Sequence, residues 1–240
     1  MIPRVNLVTF DDPVIPPPGV IYSTNPRRAE GANGVPYFVK NTDPKVVFAE
    51  IVGCRLAREV GLPVADIAAC VGDEGMYAGS ARVRGVRHID PWLAQPLKVV
   101  NFDVLFDVVV VDTWLANPDR NIESVLGRDA GGGNVALVFI DFERSVTLHP
   151  NPIILSGNVE LRDLWPNGKL GTILRENKID KPPQDIIGRI AAVTKERCSA
   201  IIDEAEAAIG SPVDWDDNCA HALASRATRI QKLAEEVWAI

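Results

Sequence analysis

No apolar run in this chain approaches the roughly 20 residues that a membrane-spanning helix needs. Its opening residues, MIPRVNLVTFDD, hold no apolar stretch followed by a small-residue cleavage site, so no secretory signal is read there and a cytoplasmic protein is expected. Cysteine is scarce. Cys54, Cys70, Cys198 and Cys219 form no C-x-x-C pair, and Cys54 and Cys198 fall within apolar helical patterns, which argues against structural zinc and a disulfide framework. Positive charge is short as well. Against 32 acidic residues stand 25 lysines and arginines, and the net charge of -7 argues against direct nucleic-acid binding, which demands a basic surface. His88, His149 and His221 are scattered, so a histidine-ligated metal or a Ser-His-Asp triad has little support. The phosphate-loop pattern G-x-x-x-x-G-K-S/T is missing, as are G-x-G-x-x-G, H-E-x-x-H and G-x-S-x-G. No internal repeat is apparent.

What remains is a chain of 240 residues, 47% hydrophobic and 24% charged, long enough for a sizeable core in one domain or two lobes. Residues 1–19, ending in Pro16-Pro17-Pro18-Gly19, read as an extended leader lying against the domain, and Val20–Ser23 as a short strand. Asn33-Gly34 signals a hairpin that leads into the strand Val35–Lys40, with Gly31 also in the preceding polar stretch. Alternation sets Pro36, Phe38 and Lys40 on one face and Val35, Tyr37 and Val39 on the other. A lysine ending such a strand serves either as a solvated edge charge or as a ligand for nucleotide phosphates.

Asp43-Pro44 opens a helix that runs to about Val60 and stops at Gly61-Leu62-Pro63. Glu50 lies inside this apolar helix, where a carboxylate is costly unless paired, and Lys40 is its natural partner. Val64–Val71 and Met76–Val83 read as two strands. Arg82 and Arg84 share a solvated strand face, and Arg84–Pro96 reads as a connector. Leu97–Ala116 reads as a helix with Asp103 and Asp107 as its thin polar stripe. Asp185–Ile209 reads as one helix, and the segment after Gly210-Ser211-Pro212 as a final amphipathic helix.

The chain is organised around Asp112–Arg144. Asn117-Pro118-Asp119 is turn chemistry, Val125-Leu126 starts a strand, Gly131-Gly132-Gly133-Asn134 turns it back, and Ala136–Ile140 is an apolar run ending on Asp141. This hairpin brings Asp141 towards Asp119. Taken singly, each is ordinary capping chemistry. Taken together, one carboxylate to orient or deprotonate a hydroxyl and one to hold an ion on nucleotide phosphates suit metal-dependent phosphoryl transfer.

The order of these parts resembles the HipA-like kinase family: YFVK with Lys40, FAEIVGCRLAREVGLPV with Glu50, WLANPDR with Asp119 and Arg120, and FIDF with Asp141. The likeness extends from about residue 20 to 238, including the closing segment from Trp215 through SRATRIQKL. It implies an α+β, bilobal protein-kinase-like fold, with a β-rich N-lobe over residues 20–90 and a mostly helical C-lobe over 91–240 that carries the catalytic turn. It implies ATP and Mg2+ as cofactors and a protein or small molecule as acceptor. By this resemblance Lys40 contacts the phosphates and Glu50 fixes it, with Gly31 and Gly34 in the nucleotide-side hairpin. Asp119 is the base, Arg120 braces the turn by pairing with a nearby carboxylate, and Asp141 binds magnesium. Two positions depart from the kinase pattern. Ser124 occupies the place of the second metal ligand, five residues after Asp119, leaving it and Asn121 as candidates for that role. Glu143 stands where glycine is common. The alternative reading is a nucleotide-binding pseudokinase that acts as a regulatory or partner-binding module.

Overall fold

Alternation in PYFVK carries through to three dimensions: Tyr37 and Val39 are buried while Phe38 and Lys40 are partly exposed on the opposite face. The computed structural model describes residues 1–13, 26–40, 43–83, 87–88, 98–118, 120, 122–145, 176–177, 180–210 and 219–239. Asp119, Asn121 and His149 lie outside them. So do the expected strand Val20–Ser23, the Pro16–Gly19 stretch, Trp215 and nearly all of the Arg84–Pro96 connector.

Five strands close into a barrel in the order β1 (Arg4–Pro13), β2 (Arg27–Gly31), β3 (Pro36–Lys40), β5 (Gly75–Ala81) and β4 (Ile67–Gly72). The closing pair is β1 with β4, parallel, Val5 opposite Cys70. Val5, Ala29, Tyr37, Val39, Ala68, Cys70 and Tyr77 fill the interior. Two expectations are corrected here. Residues 4–13 are a barrel strand rather than a leader, because Val5 supplies part of the interior. Residues 27–31, within the stretch read only as polar, are a strand: Ala29 and Gly31 face inwards, and the charged residues beside them, Arg27, Arg28 and Glu30, hide the period of two. Closure into a barrel was not specified by the sequence pattern.

Helix α1 (Pro44–Glu59) starts as expected, with the Asp43 side chain accepting from the Lys45 N–H at 2.8 Å and Pro44 in the first turn. It is buried on most sides, packed against β4, β5 and a C-terminal helix. A second sheet joins β6 (Arg87–His88), β7 (Val125–Gly131) and β8 (Asn134–Phe139).

Helix α2 spans Val104–Leu115, shorter than the expected Leu97–Ala116. Strand pairing displaces its first turns. The Val100 N–H donates to the Val135 carbonyl at 2.9 Å, and the Asn101 side chain accepts from and donates to Leu137, so this segment lies along β8. Trp114 Nε1 then donates to the Leu223 carbonyl at 2.9 Å, tying α2 to the C-terminal part of the chain.

The expected helix Asp185–Ile209 is two helices, α3 (Gln184–Ala191) and α4 (Lys195–Ile209). Thr194 breaks it by capping α4, accepting from the Arg197 N–H at 3.2 Å. The last segment also divides, into α5 (Cys219–Thr228) and α6 (Ile230–Trp238). Side chains of Thr228 and Arg229 both donate to the Ser225 carbonyl there and compete with continued helix. One hydrophobic core runs from Ile2 through α1 and α2 to Val237. Among the described residues no helix is long and apolar enough to cross a membrane.

Candidate active site

The site is built where α1 meets the chain leaving β8. Gly53 sits mid-helix on α1, and a Cβ there would stand 2.7 Å from the Phe142 Cβ and 3.0 Å from the Ser145 Oγ. Its missing side chain lets residues 142–145 lie directly on the helix. Glu50, one turn earlier, accepts from the Phe142 N–H at 2.6 Å, and the Ser145 hydroxyl donates to the Ala49 carbonyl at 3.2 Å.

A second set of contacts holds the same segment from the other side. Arg120 and Asp112 form a fully buried two-point pair, Nε to Oδ2 at 2.9 Å and Nη2 to Oδ1 at 3.0 Å. The remaining Arg120 nitrogen, Nη1, donates to the Ile140 carbonyl, and the guanidinium lies 4.5 Å from the centre of the Phe142 ring. Burial works against the Arg120 charge, but Asp112 outweighs it and holds the guanidinium protonated. Asn117 Nδ2 donates to Asp112 Oδ1 at 3.0 Å and reaches the Asp141 carbonyl at 3.4 Å.

Between these supports Asp141 adopts φ +72, a left-handed conformation that few residues other than glycine take, although aspartate tolerates it better than most. Its Oδ1 accepts from Lys40 Nζ at 2.7 Å, and its Oδ2 from the Ser124 hydroxyl at 3.4 Å. Lys40 also lies 3.7 Å from Glu143 Oε2. The expected Lys40–Glu50 pairing thus takes a different form. Lys40 bonds to Asp141, and Glu50 bonds to the Phe142 backbone while still acting on Lys40 through its charge. The physical reason is the chain path: once residue 53 lacks a side chain, the Phe142 amide comes within reach of Glu50.

Electrostatics follow from this crowding. Burial works to strip the Lys40 proton, but Glu50, Asp141 and Glu143 together raise its pKa above the ordinary lysine value. Burial pushes the Glu50 carboxyl up to about 7, with Asp141 and Glu143 adding to the shift and Lys40 and the Phe142 N–H opposing it. Ligand oxygens of Glu50, Asp141 and Glu143 can all lie within 4.8 Å of one another. Carboxylate oxygen is the ligand type a magnesium ion takes, with one or two such groups contributing beside phosphate and water oxygens.

Lys40, Glu50, Ser124 and Asp141 are therefore gathered at one place, with Arg120 beneath them. The hairpin glycines stand elsewhere. Gly31 faces the barrel interior, where a Cβ would meet Val5 and Tyr37 within 3 Å, and Gly34 is open at a turn with φ +72. Both lie at the opposite end of β3 from Lys40, whereas Pro13 of β1 and Arg27 of β2, paired in register with Val39, share the lysine's end. Two residues with a large part in the site were not foreseen. Asp112 was legible as a carboxylate inside VVVVDTWL, and Gly53 as a glycine inside a helix, a choice that is costly unless another chain approaches closely.

The chain matches no protein-family model and no curated protein. Among solved structures, the Helicobacter pylori proinflammatory kinase CtkA aligns over 91% of this chain and 91% of its own, at 14% identity and a TM-score of 0.50. A Shewanella oneidensis toxin–antitoxin complex of HipA, HipB and operator DNA contributes a chain at 14% identity, with a TM-score of 0.47, covering 83% of this chain and 58% of that one. The likeness to CtkA is one of fold, a mixed α+β arrangement of a β-rich and a helical part, and it agrees with the resemblance carried by the motifs.

Proposed function

We propose that this protein is a kinase of the HipA-like type, using ATP and Mg2+ to phosphorylate a hydroxyl of a protein or small molecule. The barrel with α1 forms the smaller lobe and the helical part the larger. The observation that carries this reading is the convergence of Lys40, Glu50 and Asp141, from β3, α1 and the end of β8, on one partly exposed point. When bound, Mg2+ would supply neutralising charge for the ATP phosphates. Asp141 would hold it, with Ser124 or Asn121 as second ligand. Lys40 would bind and orient the phosphates. Glu50 keeps the Asp141-Phe142 backbone in place, so the metal-binding carboxylate is aimed before substrate arrives. Asp119 would accept the proton of the attacking hydroxyl. Arg120 acts through Asp112 and the Ile140 carbonyl to hold both carboxylate-bearing segments together. The test is transfer of label from ATP to the protein itself or to an acceptor. Wild type should transfer and Asp141→Asn should not; equal labelling of the two proteins refutes the assignment.

A second reading, nucleotide binding without transfer, rests on serine at position 124, a weaker metal ligand than the asparagine kinases carry there. Ser124 is buried and its hydroxyl is turned to Asp141. A pseudokinase of this kind would show an ATP-induced thermal shift but form no product, and Ser124→Asn would create or sharply raise turnover.

A further inference from the structure

The peptide unit that joins Asp141 to Phe142 is gripped at both ends. Its N–H donates to Glu50 Oε2 at 2.6 Å, and its carbonyl, that of Asp141, accepts from Asn117 Nδ2 at 3.4 Å. The two grips come from separate parts of the chain, Glu50 from α1 and Asn117 from the turn after α2. The preceding peptide is held as well, because Arg120 Nη1 donates to the Ile140 carbonyl. Neither backbone torsion of Asp141 can then change without breaking one of these bonds, so the direction in which its carboxylate leaves the backbone is set.

That direction needs holding. Among the described residues, Asp141 and Ala116 alone have positive φ without being glycine, at +72 and +52. Such conformations persist where the surroundings over-determine them. Ala116 sits directly before Asn117, so the second left-handed turn presents the amide that steadies the first. Asn117 is buried, and its nitrogen also donates to Asp112 Oδ1 at 3.0 Å. Both neighbours are acceptors, and a side-chain amide carries two hydrogens on one nitrogen, one for each.

We propose that Asn117 is a positioning residue whose amide holds the carbonyl end of the Asp141–Phe142 peptide, as Glu50 holds the N–H end, and so aims the Asp141 carboxylate at the metal. This deepens the kinase reading and rests on it.

The test measures ATP affinity by calorimetry in EDTA and in saturating Mg2+, with stability by chemical denaturation, for wild type and Asn117→Leu. Leucine keeps the approximate shape of the amide without its hydrogens. The quantity read is the gain in affinity when Mg2+ replaces EDTA. Asn117→Leu should reduce that gain about tenfold and leave ATP affinity in EDTA unchanged. A residue that only braced Asp112 would cost stability and keep the wild-type gain, since Arg120 still holds that carboxylate at two points. A wild-type gain that survives in Asn117→Leu therefore overturns the proposal and leaves the kinase reading standing. Absence of any gain in wild type defeats the site reading itself, and the proposal with it. Should Asn117→Leu not fold, Asn117→Ala replaces it; misfolding of both makes Asn117 a structural group and overturns the proposal.

Discussion

Gly53 of α1 and Phe142 beyond β8 are in such close contact that a methyl group on the glycine would stand 2.7 Å from the Phe142 Cβ. This contact sets the distance between the helix that carries Glu50 and the segment that carries Asp141.

Gly53→Ala should therefore disturb the site more than the fold. Alanine gains about 1 kcal/mol of helix propensity, while the overpacking costs about 1–3 kcal/mol, so the net loss of stability should stay under about 2 kcal/mol. Phe142 would be pushed from α1 and its N–H drawn away from Glu50. The expected outcome is a small drop in melting temperature with a much larger loss of ATP affinity, measured side by side. A loss of affinity no greater than the stability change would contradict it.

Asp112→Ala should destabilise the protein by about 3–5 kcal/mol, because it strands the fully buried Arg120. Asp112→Leu combined with Arg120→Met should cost much less, since no charge is left unpaired. Chemical denaturation of the single and double variants checks this. Additive losses would show that the pair is not coupled.

Stability should fall as pH rises from about 4.5 to about 7 in metal-free buffer. Burial raises Glu50 from 4.5 when exposed to about 7 when folded, so in that window the native state holds a proton that the unfolded state has released. Each step upward in pH then favours the unfolded chain, until the native carboxyl also ionises near 7. Thermal melts across the window should slope downward more steeply for wild type than for Glu50→Gln. Parallel slopes would remove Glu50 as the source.

Much of this arrangement was readable in advance, and the rest was hidden for identifiable reasons. Asp43-Pro44 and Gly61 bounded α1 through local chemistry, and the alternation in PYFVK placed Lys40 opposite the buried face. Glu50 was conspicuous because a carboxylate inside an apolar helix needs a reason. Its direct partner was not readable, since that depends on Gly53 letting a segment 92 residues away approach. Strand β1 escaped because its pairing with β4 is a long-range contact that no local pattern announces. The first turns assigned to α2 went to β8 for a similar reason: Val99 and Val100 have strand propensity, but only β8 makes that propensity count.

Mg2+-dependent ATP binding shows whether Lys40, Glu50 and Asp141 form one nucleotide and metal site. Calorimetric titration of ATP into wild type should show affinity that rises when Mg2+ replaces EDTA, and Asp141→Asn should lose that rise while remaining folded. ATP binding that is absent from wild type, or that responds to Mg2+ equally in both proteins, would contradict the account.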